Sequence, residues 1–369
     1  MPSNTAAWIV KGNPKLEVKS APYTPPRENE IVVKNHAVAI NPVDWMKLDM
    51  GGMLFGWIKL PFIVGTDSAG EVVEVGRGVT NFKVGDRVTG YAVGMDQKRN
   101  SAAEGAFQLY TVLLAHMATP IPGTLSYEQA SVIPLGASTA ACGLFQKDQL
   151  ALQYPSPGVP VKPTGKTVLI WGGSTSVGSN AIQLAVAAGY EVITTASPKN
   201  FDYVRKLGAS QVFNYKSRTV VPDLIKAFKG KRCAGAMSIG NGAADLCLDV
   251  LSKCKGNKFL SMASYPNPPT PPKSFIFLQT VFYFLTGQIR IFLKSKTGGI
   301  RTNFIFGSTL IDNGVGEAIW VDFLPRALAE GTYVAVPDAQ IVGKGLENIQ
   351  TGFDVQKKGM SAKKVVVSL

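Results

Sequence analysis

The sequence predicts an α/β protein of two domains, one built mostly of short strands and one built around a parallel sheet. Three observations support this expectation. The chain has 369 residues, more than the roughly 100–200 that one domain usually contains. Glycine-rich turns separate strand-like runs over residues 1–130. A strand, a glycine turn, a helix and a second strand then follow one another from Lys166.

The first part of the chain reads as strands joined by tight turns. Residues 31–40 form a β-branched run that ends at the turn signal Asn41-Pro42. Residues 71–76 alternate towards a glycine, and residues 84–88 follow another turn. Short strands at this spacing predict a small barrel with little helix.

From about residue 133 the pattern changes to alternating strands and helices. An apolar run at 166–171 precedes the glycine turn 172–178, a helical pattern at 179–189 and a strand at 191–195, which together form a βαβ unit. Such a unit requires a parallel sheet with helices on its faces. Further helices are expected at 200–207, 243–254 and 319–329, and further strands at 211–214, 233–238, 258–262, 304–308 and 364–368.

The glycine turn is a candidate phosphate site. Backbone N–H groups and the dipole at a helix start attract an anion, and glycine lets the ligand approach the backbone. The turn departs from the usual G-x-G-x-x-G pattern, because Thr175 stands at the middle glycine position. An ordinary βα turn remains the alternative. The candidate cofactor-binding residues are Gly173, Ser174, Thr175, Ser176, Val177 and Gly178.

The end of the second strand favours NADPH as the cofactor. Sites that prefer NAD place an acidic residue there for the ribose 2′-hydroxyl, whereas this chain has no acid before Asp202. Ser197 and Lys199 instead offer a hydroxyl and a positive charge to a 2′-phosphate. Tyr215, after the third strand, is expected to border the adenosine. The alternatives are that Lys199 is a solvated loop lysine and Tyr215 a plain surface residue.

The net charge and the cysteine content limit the partners and the compartment expected for this protein. The net charge is +13, but the basic residues are scattered and the densest runs, 229–232 and 357–358, are too short for a nucleic-acid surface. The four cysteines form no C-x-x-C pair, and no signal peptide is recognisable. We therefore expect a reducing, cytoplasmic setting and no nucleic-acid partner.

An apolar stretch at residues 275–285, extending to 293, invites a membrane interpretation. It is shorter than the roughly 20 apolar residues of a spanning helix and contains Gln279 and Thr280, so no transmembrane span is predicted. We expect a helix that is buried or lies at an interface, with contact to a membrane surface or a lipid as the alternative. The proline-rich segment 265–272 before it is expected to be a surface loop.

Several segments resemble the medium-chain dehydrogenase/reductase superfamily. Residues 38–45 are similar to its V-x-x-N-P-x-D segment, and residues 61–72 to its P-x-x-x-G-x-D-x-A-G-x-V segment. V-G-D-R-V at 84–88, G-A-F at 105–107 and L-G-A at 207–209 follow in the family's order. Within the superfamily, the chain resembles the zinc-free quinone reductase and enoyl reductase branch. The serine- and threonine-rich turn and residues 197–202 are most like fungal stand-alone, trans-acting polyketide enoyl reductases.

The resemblance implies a particular domain organisation. A GroES-like, mostly-β domain would comprise residues 1–132 and 316–369. A Rossmann domain with a doubly wound parallel sheet, residues 133–315, would be inserted into it, with the active site in the cleft between the two.

No metal site is predicted. The only histidines are His36 and His116, and catalytic zinc requires Cys, His and carboxylate ligands at set spacing. Where zinc-dependent members of the superfamily carry ligands, this chain has Asn41-Pro42 and Gly65-Thr66-Asp67.

The resemblance also implies an activity, which is zinc-independent reduction of an activated carbon–carbon double bond by hydride transfer from NADPH. The acceptor would be a small apolar enone, enoyl thioester or quinone, free or bound to the carrier of a polyketide synthase, and the protein a monomer or homodimer. Candidate catalytic residues are Asn41, Asp44, Lys47 and Thr139. Lys47 as a solvated lysine and Thr139 as a helix cap are the alternatives. A non-catalytic NADPH-binding protein, a membrane- or complex-associated scaffold and a carbonyl reductase remain open as functions.

Overall fold

The structure of the protein, a computed structural model, describes residues 2–51, 55–156, 162–266 and 276–369. The strands in these ranges are β1 Asn4–Ile9, β2 Glu17–Ala21, β3 Glu30–Ala39, β4 Phe62–Ile63, β5 Asp67–Val75, β6 Arg87–Tyr91, β7 Tyr110–Leu114, β8 Ala118–Pro120, β9 Lys166–Trp171, β10 Glu191–Ala196, β11 Gln211–Asn214, β12 Arg232–Ser238, β13 Lys255–Gly256, β14 Phe259–Met262, β15 Arg301–Phe304, β16 Asp338–Lys344 and β17 Lys363–Ser368. The α-helices are α1 Pro42–Met50, α2 Tyr127–Ala130, α3 Pro134–Phe145, α4 Ser176–Ala187, α5 Phe201–Lys206, α6 Val220–Ala227, α7 Ala243–Lys253, α8 Ile276–Gly298, α9 Gly314–Glu317, α10 Leu324–Ala329 and α11 Ile349–Lys357.

The chain divides into two compact units. Unit 1 comprises Met1–Ser138 and Ile311–Leu369, and unit 2 comprises Thr139–Leu310. Unit 2 is thus an insertion in the sequence of unit 1. The domain limits expected from the sequence, 132/133 and 315/316, lie a few residues from these limits.

Unit 1 is mostly β-structure. Three strands form a small sheet in the order β2–β1–β4, and a larger sheet has the order β16–β17–β3–β5–β6–β8, with β7 also paired to β3. Its pairs are antiparallel except for β16 and β17. The core of unit 1 contains fully buried side chains such as Ile31, Val33 and Phe107.

A helix that the sequence analysis did not predict follows the long strand β3. Asn41 is extended, Pro42 opens α1, and the backbone N–H of Asn41 donates to Asp44 Oδ2 at 2.7 Å. Proline suits the first helical position, because its missing N–H would have no partner there. Gly51, with a φ of 56°, ends the helix. The Asn-Pro pair, interpreted as a turn, is therefore a helix start, and it places Lys47 on a helix.

Unit 2 contains the predicted parallel sheet, in the order β11–β10–β9–β12–β14–β15 with β13 beside β12. The chain moves outward from β9 to β11, returns to β12 beside β9, and continues to the other edge. Because parallel crossovers are right-handed, the helices before and after this return lie on opposite faces. The predicted fold class, a doubly wound α/β sheet inserted into a mostly-β domain, is confirmed. Ligands bind such sheets at the carboxyl ends of the strands flanking the reversal, here β9 and β12.

Two details of unit 2 differ from expectation. The strand predicted at 304–308 is instead β15, Arg301–Phe304. An edge strand with a single neighbour needs fewer apolar residues than a central one, so the apolar run after it was a misleading signal. The apolar stretch does form a helix, α8, but Phe282 and Leu285 on it are 63% and 53% exposed rather than core. Phe275 and most of the proline-rich segment, from residue 267, lie outside the described residues.

Among the helices that the structure describes, none combines the length and the hydropathy needed to cross a bilayer.

Candidate active site

The glycine turn of unit 2 connects β9 to α4. Gly172 has a φ of 89°, a left-handed conformation that favours glycine. Thr175 caps α4, because its hydroxyl accepts from Gly178 N at 3.0 Å and donates to Gly172 O at 2.8 Å. The turn is therefore stabilised by its own side chain.

Two glycines of this turn have no room for a side chain. A Cβ at Gly173 would lie 2.2 Å from Thr194 Oγ1, and one at Gly178 would lie 2.2 Å from Gly172 O. Both distances are far below van der Waals contact. Glycine here allows the turn to pack closely against β10 and the start of α4, as in dinucleotide-binding turns.

The start of α4 is chemically suited to a phosphate. The N–H groups of the first helical turn have no acceptor within the helix, and the helix dipole adds a partial positive charge. The Ser176 hydroxyl is buried and has no hydrogen-bond partner in the described part of the protein. A buried donor without an acceptor costs free energy. The Ser176 hydroxyl is therefore suited to donate to an oxygen of a ligand. Ser174 and Val177 are half-buried beside it. These residues fit the diphosphate of a dinucleotide.

The candidate residues for the adenosine end lie at the same edge of the sheet. Strands β9, β10 and β11 are adjacent and parallel, with Ala196 opposite Asn214, so Ser197 and Tyr215 each follow a carboxyl end at one edge. Lys199 is exposed and forms no ion pair with a described residue, and the Tyr215 ring is 41% exposed. The nearest acid in sequence, Asp202, pairs with Arg205 at 3.0 Å. Lys199 is therefore available to an anion.

A buried polar network in unit 1 contains Asn41. Its Nδ2 donates to Thr66 Oγ1 at 2.9 Å and to Asp67 Oδ2 at 2.8 Å. Thr66 in turn donates to Asp44 Oδ1 at 3.0 Å. All four side chains are buried. The Asn41 amide is consequently fixed in orientation by two acceptors.

A buried ion pair anchors this network. Lys364 Nζ, from the last strand β17, lies 2.5 Å from Asp67 Oδ2, and the two side chains are 3% and 0% exposed. Asp67 Oδ1 also accepts from Leu135 N at 2.6 Å, and Lys364 donates to Val132 O at 3.3 Å. Lys364 was not among the residues predicted from the sequence, because nothing local distinguishes it from the exposed Lys363 beside it.

Asp44 differs from Asp67 in having no cation in contact. Complete burial is the main cause that raises the pKa of the Asp44 carboxyl to about 8, and the negative charge of Asp67 adds to the effect. Hydrogen bonds from Asn41 N and Thr66 act in the opposite direction. We infer that Asp44 is predominantly protonated at neutral pH.

The remaining catalytic candidates are a lysine and a threonine. Lys47 is buried, its Nζ donates to Phe55 O at 2.9 Å, and burial lowers the pKa of its amine. It is therefore not a solvated lysine. Thr139 is half-buried in the interior of α3 and so does not cap its own helix. Asn41 and Lys47 belong to unit 1, whereas Thr139 belongs to unit 2.

Both histidines contact other groups of the protein. The His36 ring stacks on Tyr127 at 4.5 Å between centroids, and His116 Nε2 lies 3.0 Å from Ile311 O. The four cysteines are buried in unit 2. Within the described ranges, no group of three or more His, Cys, Asp or Glu residues is arranged to bind a metal ion.

Comparisons with known proteins agree with this organisation. Residues 27–123 match the family model described as alcohol dehydrogenase GroES-like domain, and residues 176–260 match the one described as zinc-binding dehydrogenase. A dehydrogenase of Monascus ruber, pigH, is 58% identical, with complete coverage of both chains. The chain belongs to the medium-chain dehydrogenase/reductase superfamily. It is an oxidoreductase of this superfamily, whose dehydrogenases bind a nicotinamide cofactor.

Two further similar proteins are informative. The trans-enoyl reductase himH of Aspergillus japonicus is 37% identical, and the alignment covers 99% of this chain and 97% of that protein. The quinone oxidoreductase structure from Coxiella burnetii has a TM-score of 0.67 at 23% identity, with 100% of both chains covered. At that identity the structural likeness supports the fold alone.

Proposed function

We propose that the protein binds NADPH at the glycine turn and transfers hydride to an activated carbon–carbon double bond without zinc. The observation that carries the proposal is the buried network around Asn41 and Asp67. At the positions where zinc-dependent members have ligands, these side chains already bond to each other and to Lys364. An amide and a carboxylate engaged in this way are a poor ligand set for zinc.

The proposed specificity for NADPH rests on the carboxyl edge of the sheet. The first acidic residue after β10 is Asp202, which pairs with Arg205, whereas sites that prefer NAD place an acid at the end of this strand. Ser197 and Lys199 would bind a 2′-phosphate, and Tyr215 would cover the adenosine. The six residues 173–178 would bind the diphosphate through the backbone and through Ser176 Oγ.

The proposed chemistry makes modest demands on the protein. A bound nicotinamide would supply the hydride. Reduction of an enone or enoyl thioester then leaves negative charge on an oxygen, which hydrogen-bond donors can stabilise without a Lewis acid. Thr139 is proposed to face the bound cofactor with its hydroxyl. Lys47, whose buried amine has a lowered pKa, is proposed to give a proton from Nζ to the α-carbon of the enolate and to regain a proton from solvent.

The name of the Aspergillus japonicus relative supports an enoyl acceptor. We therefore propose an α,β-unsaturated carbonyl compound as the substrate, with a carrier-bound thioester and a free enone as the two forms to compare. A quinone acceptor is retained as the third arm of the test.

The test of this proposal is NADPH oxidation, followed at the nicotinamide absorbance band after treatment with EDTA. The acceptors are a short enone, an α,β-unsaturated acyl thioester and a quinone, and NADH replaces NADPH as the control. We expect turnover with NADPH that EDTA does not reduce. Loss of activity with EDTA and its return with zinc would refute the zinc-free mechanism. NADPH-induced thermal stabilisation without turnover on any acceptor would favour a non-catalytic binder.

Lys199→Ala tests the cofactor assignment. We expect KM for NADPH to rise roughly tenfold with little change in kcat, the low end of the effect of a charge-assisted hydrogen bond, because this lysine is exposed and screened. KM for NADH should not change, since NADH has no 2′-phosphate. Lys206→Ala, which removes an exposed lysine at the end of α5, is the matched control. Equal effects on both cofactors would contradict the assignment.

A further inference from the structure

Helix α8 of unit 2 carries an exposed apolar stripe. Five side chains at alternating intervals of four and three residues are each 53–63% exposed, namely Leu278, Phe282, Leu285, Ile289 and Phe292. This spacing places them along one face of the helix. An exposed contiguous apolar surface of this kind marks an interaction site.

The stripe is not the face by which α8 packs on its own unit. Ile291 and Ser295 on another face are buried, and Ile291 belongs to the core of unit 2. Arg290 and Lys294 form ion pairs at 2.6 and 2.9 Å with two aspartates of α7. Helix α8 is thus already anchored through its core side and its flank, and the stripe remains uncovered by the described residues.

A cluster of cations lies at the carboxyl-terminal end of α8. Lys258 Nζ is 3.3 Å from both Ser252 O and Gly298 O, so the ends of α7 and α8 are neighbours. Arg301 N donates to Lys258 O at 2.9 Å, and Lys255 pairs with Arg232 across β13 and β12. We call the resulting set of exposed cations the basic end, which consists of Arg232, Lys253, Lys255, Lys296 and Arg301.

The basic end has no countercharge among the residues that the structure describes. None of its five side chains forms an ion pair with a residue that the structure describes, and the nearby Asp245 and Asp249 are engaged by Arg290 and Lys294. Lys296 Nζ lies 5.6 Å from the centroid of the Phe292 ring, so the basic end continues directly from the stripe. A partner that binds both the stripe and the basic end must therefore present negative charge next to an apolar region.

We propose that α8 and the basic end bind the surface of an anionic lipid bilayer. Aromatic and aliphatic side chains would enter the boundary between headgroups and acyl chains, while the cations would contact the headgroups, as in interfacial helices. Charge complementarity favours this occupant over a second copy of the chain. Residues 276–298 contain no acidic residue, and the chain carries a net charge of +13, so a second copy would bring more positive charge to the contact.

Sedimentation with lipid vesicles tests the proposal on the full chain. We expect binding to phosphatidylcholine vesicles that contain phosphatidylserine, weaker binding as the salt concentration rises, and no binding to phosphatidylcholine alone. Neutralising one cation should weaken binding about fivefold, and neutralising three about 100-fold. The cation variant is Lys253→Gln, Lys255→Gln and Arg301→Gln. The matched control in unit 1 is Lys11→Gln, Lys15→Gln and Lys358→Gln.

A second variant tests the contribution of the stripe to vesicle binding separately from that of the cations. Phe282→Ser, Ile289→Ser and Phe292→Ser together remove apolar surface that is already exposed, so folding should persist, while vesicle binding should fall more than tenfold. Failure of the wild-type protein to bind anionic vesicles at low ionic strength would overturn the proposal, as would unchanged binding by the serine variant. A wild-type dimer that the serine variant converts to a monomer would identify a second copy as the occupant instead. None of these readouts depends on catalysis.

Discussion

Lys364→Met is expected to lower the free energy of unfolding of unit 1 by about 3–5 kcal/mol, the usual cost of removing one partner from a buried ion pair. Asp67 is completely buried, and Lys364 Nζ is its only cationic partner in the described part of the chain. Methionine fills a similar volume but leaves the carboxylate without a countercharge. Hydrogen bonds from Leu135 N and Asn41 Nδ2 remain, and they cannot replace that charge.

Urea denaturation followed by tryptophan fluorescence measures this effect. Trp8, Trp45, Trp57 and Trp320 lie in unit 1 and only Trp171 in unit 2, so the signal reports mainly on unit 1. Lys363→Met, at the exposed neighbouring position, is the control and should change stability by less than about 0.5 kcal/mol. Adding Asp67→Asn to Lys364→Met removes both charges and should restore part of the loss. Equal stability of the two single lysine variants would show that the ion pair contributes nothing.

Local signals in the sequence predict the strand, turn and helix of the proposed phosphate site well. Strand, turn and helix succeed one another over residues 166–187, and each has its own local pattern. Glycine at 173 and 178 follows from close packing within that same unit, as the Cβ clashes show. The residues directly after β10 likewise show in the sequence that no acid precedes Asp202. The structure of this turn was therefore predictable because its parts are close in sequence.

The network in unit 1 was not predictable in the same way. Asp67 and Lys364 are 297 residues apart in the sequence and meet only because β17 pairs with β3 and β3 with β5. A local signal did exist for α1, since proline at the first helical position and an acid two residues later are typical of a helix start. Because Asn-Pro is also a frequent turn, the preceding strand made a turn the simpler interpretation.

The exposed surface of α8 illustrates another limit of sequence analysis. Hydropathy identifies an apolar helix but does not indicate which of its faces will be covered. Helix α8 is apolar on more than one side, so its pattern is compatible with complete burial. Only the structure separates Ile291, which belongs to the core, from Phe282 and Ile289, which remain exposed.

The wild-type protein is expected to lose stability as the pH rises from about 5 to 8, and Asp44→Asn is expected to abolish this loss. In the unfolded chain this carboxyl has a pKa near 3.8, whereas burial raises its pKa to about 8 in the folded protein. Between these values the folded state retains a proton that the unfolded state has released. The unfolded state therefore binds fewer protons, and the free energy of unfolding falls with increasing pH by about 1.4 kcal/mol per unit.

Asparagine mimics the protonated acid, because it can accept from Asn41 N and has no proton to lose. Its Nδ2 would donate to Thr66 Oγ1, so the hydroxyl of Thr66 would change from donor to acceptor at this contact. Measured by the same fluorescence assay, wild type should lose about 2–2.5 kcal/mol relative to Asp44→Asn between pH 5.5 and 7.5, and the difference should level off above about pH 8 as the folded carboxyl also ionises. Asp354→Asn, at an exposed position of α11, should leave the pH profile of the wild type unchanged. A constant difference between wild type and Asp44→Asn across this range would mean that Asp44 is ionised in the folded protein. In that case the network would contain two carboxylates for one lysine, with Asn41 donating to both and Thr66 donating to Asp44.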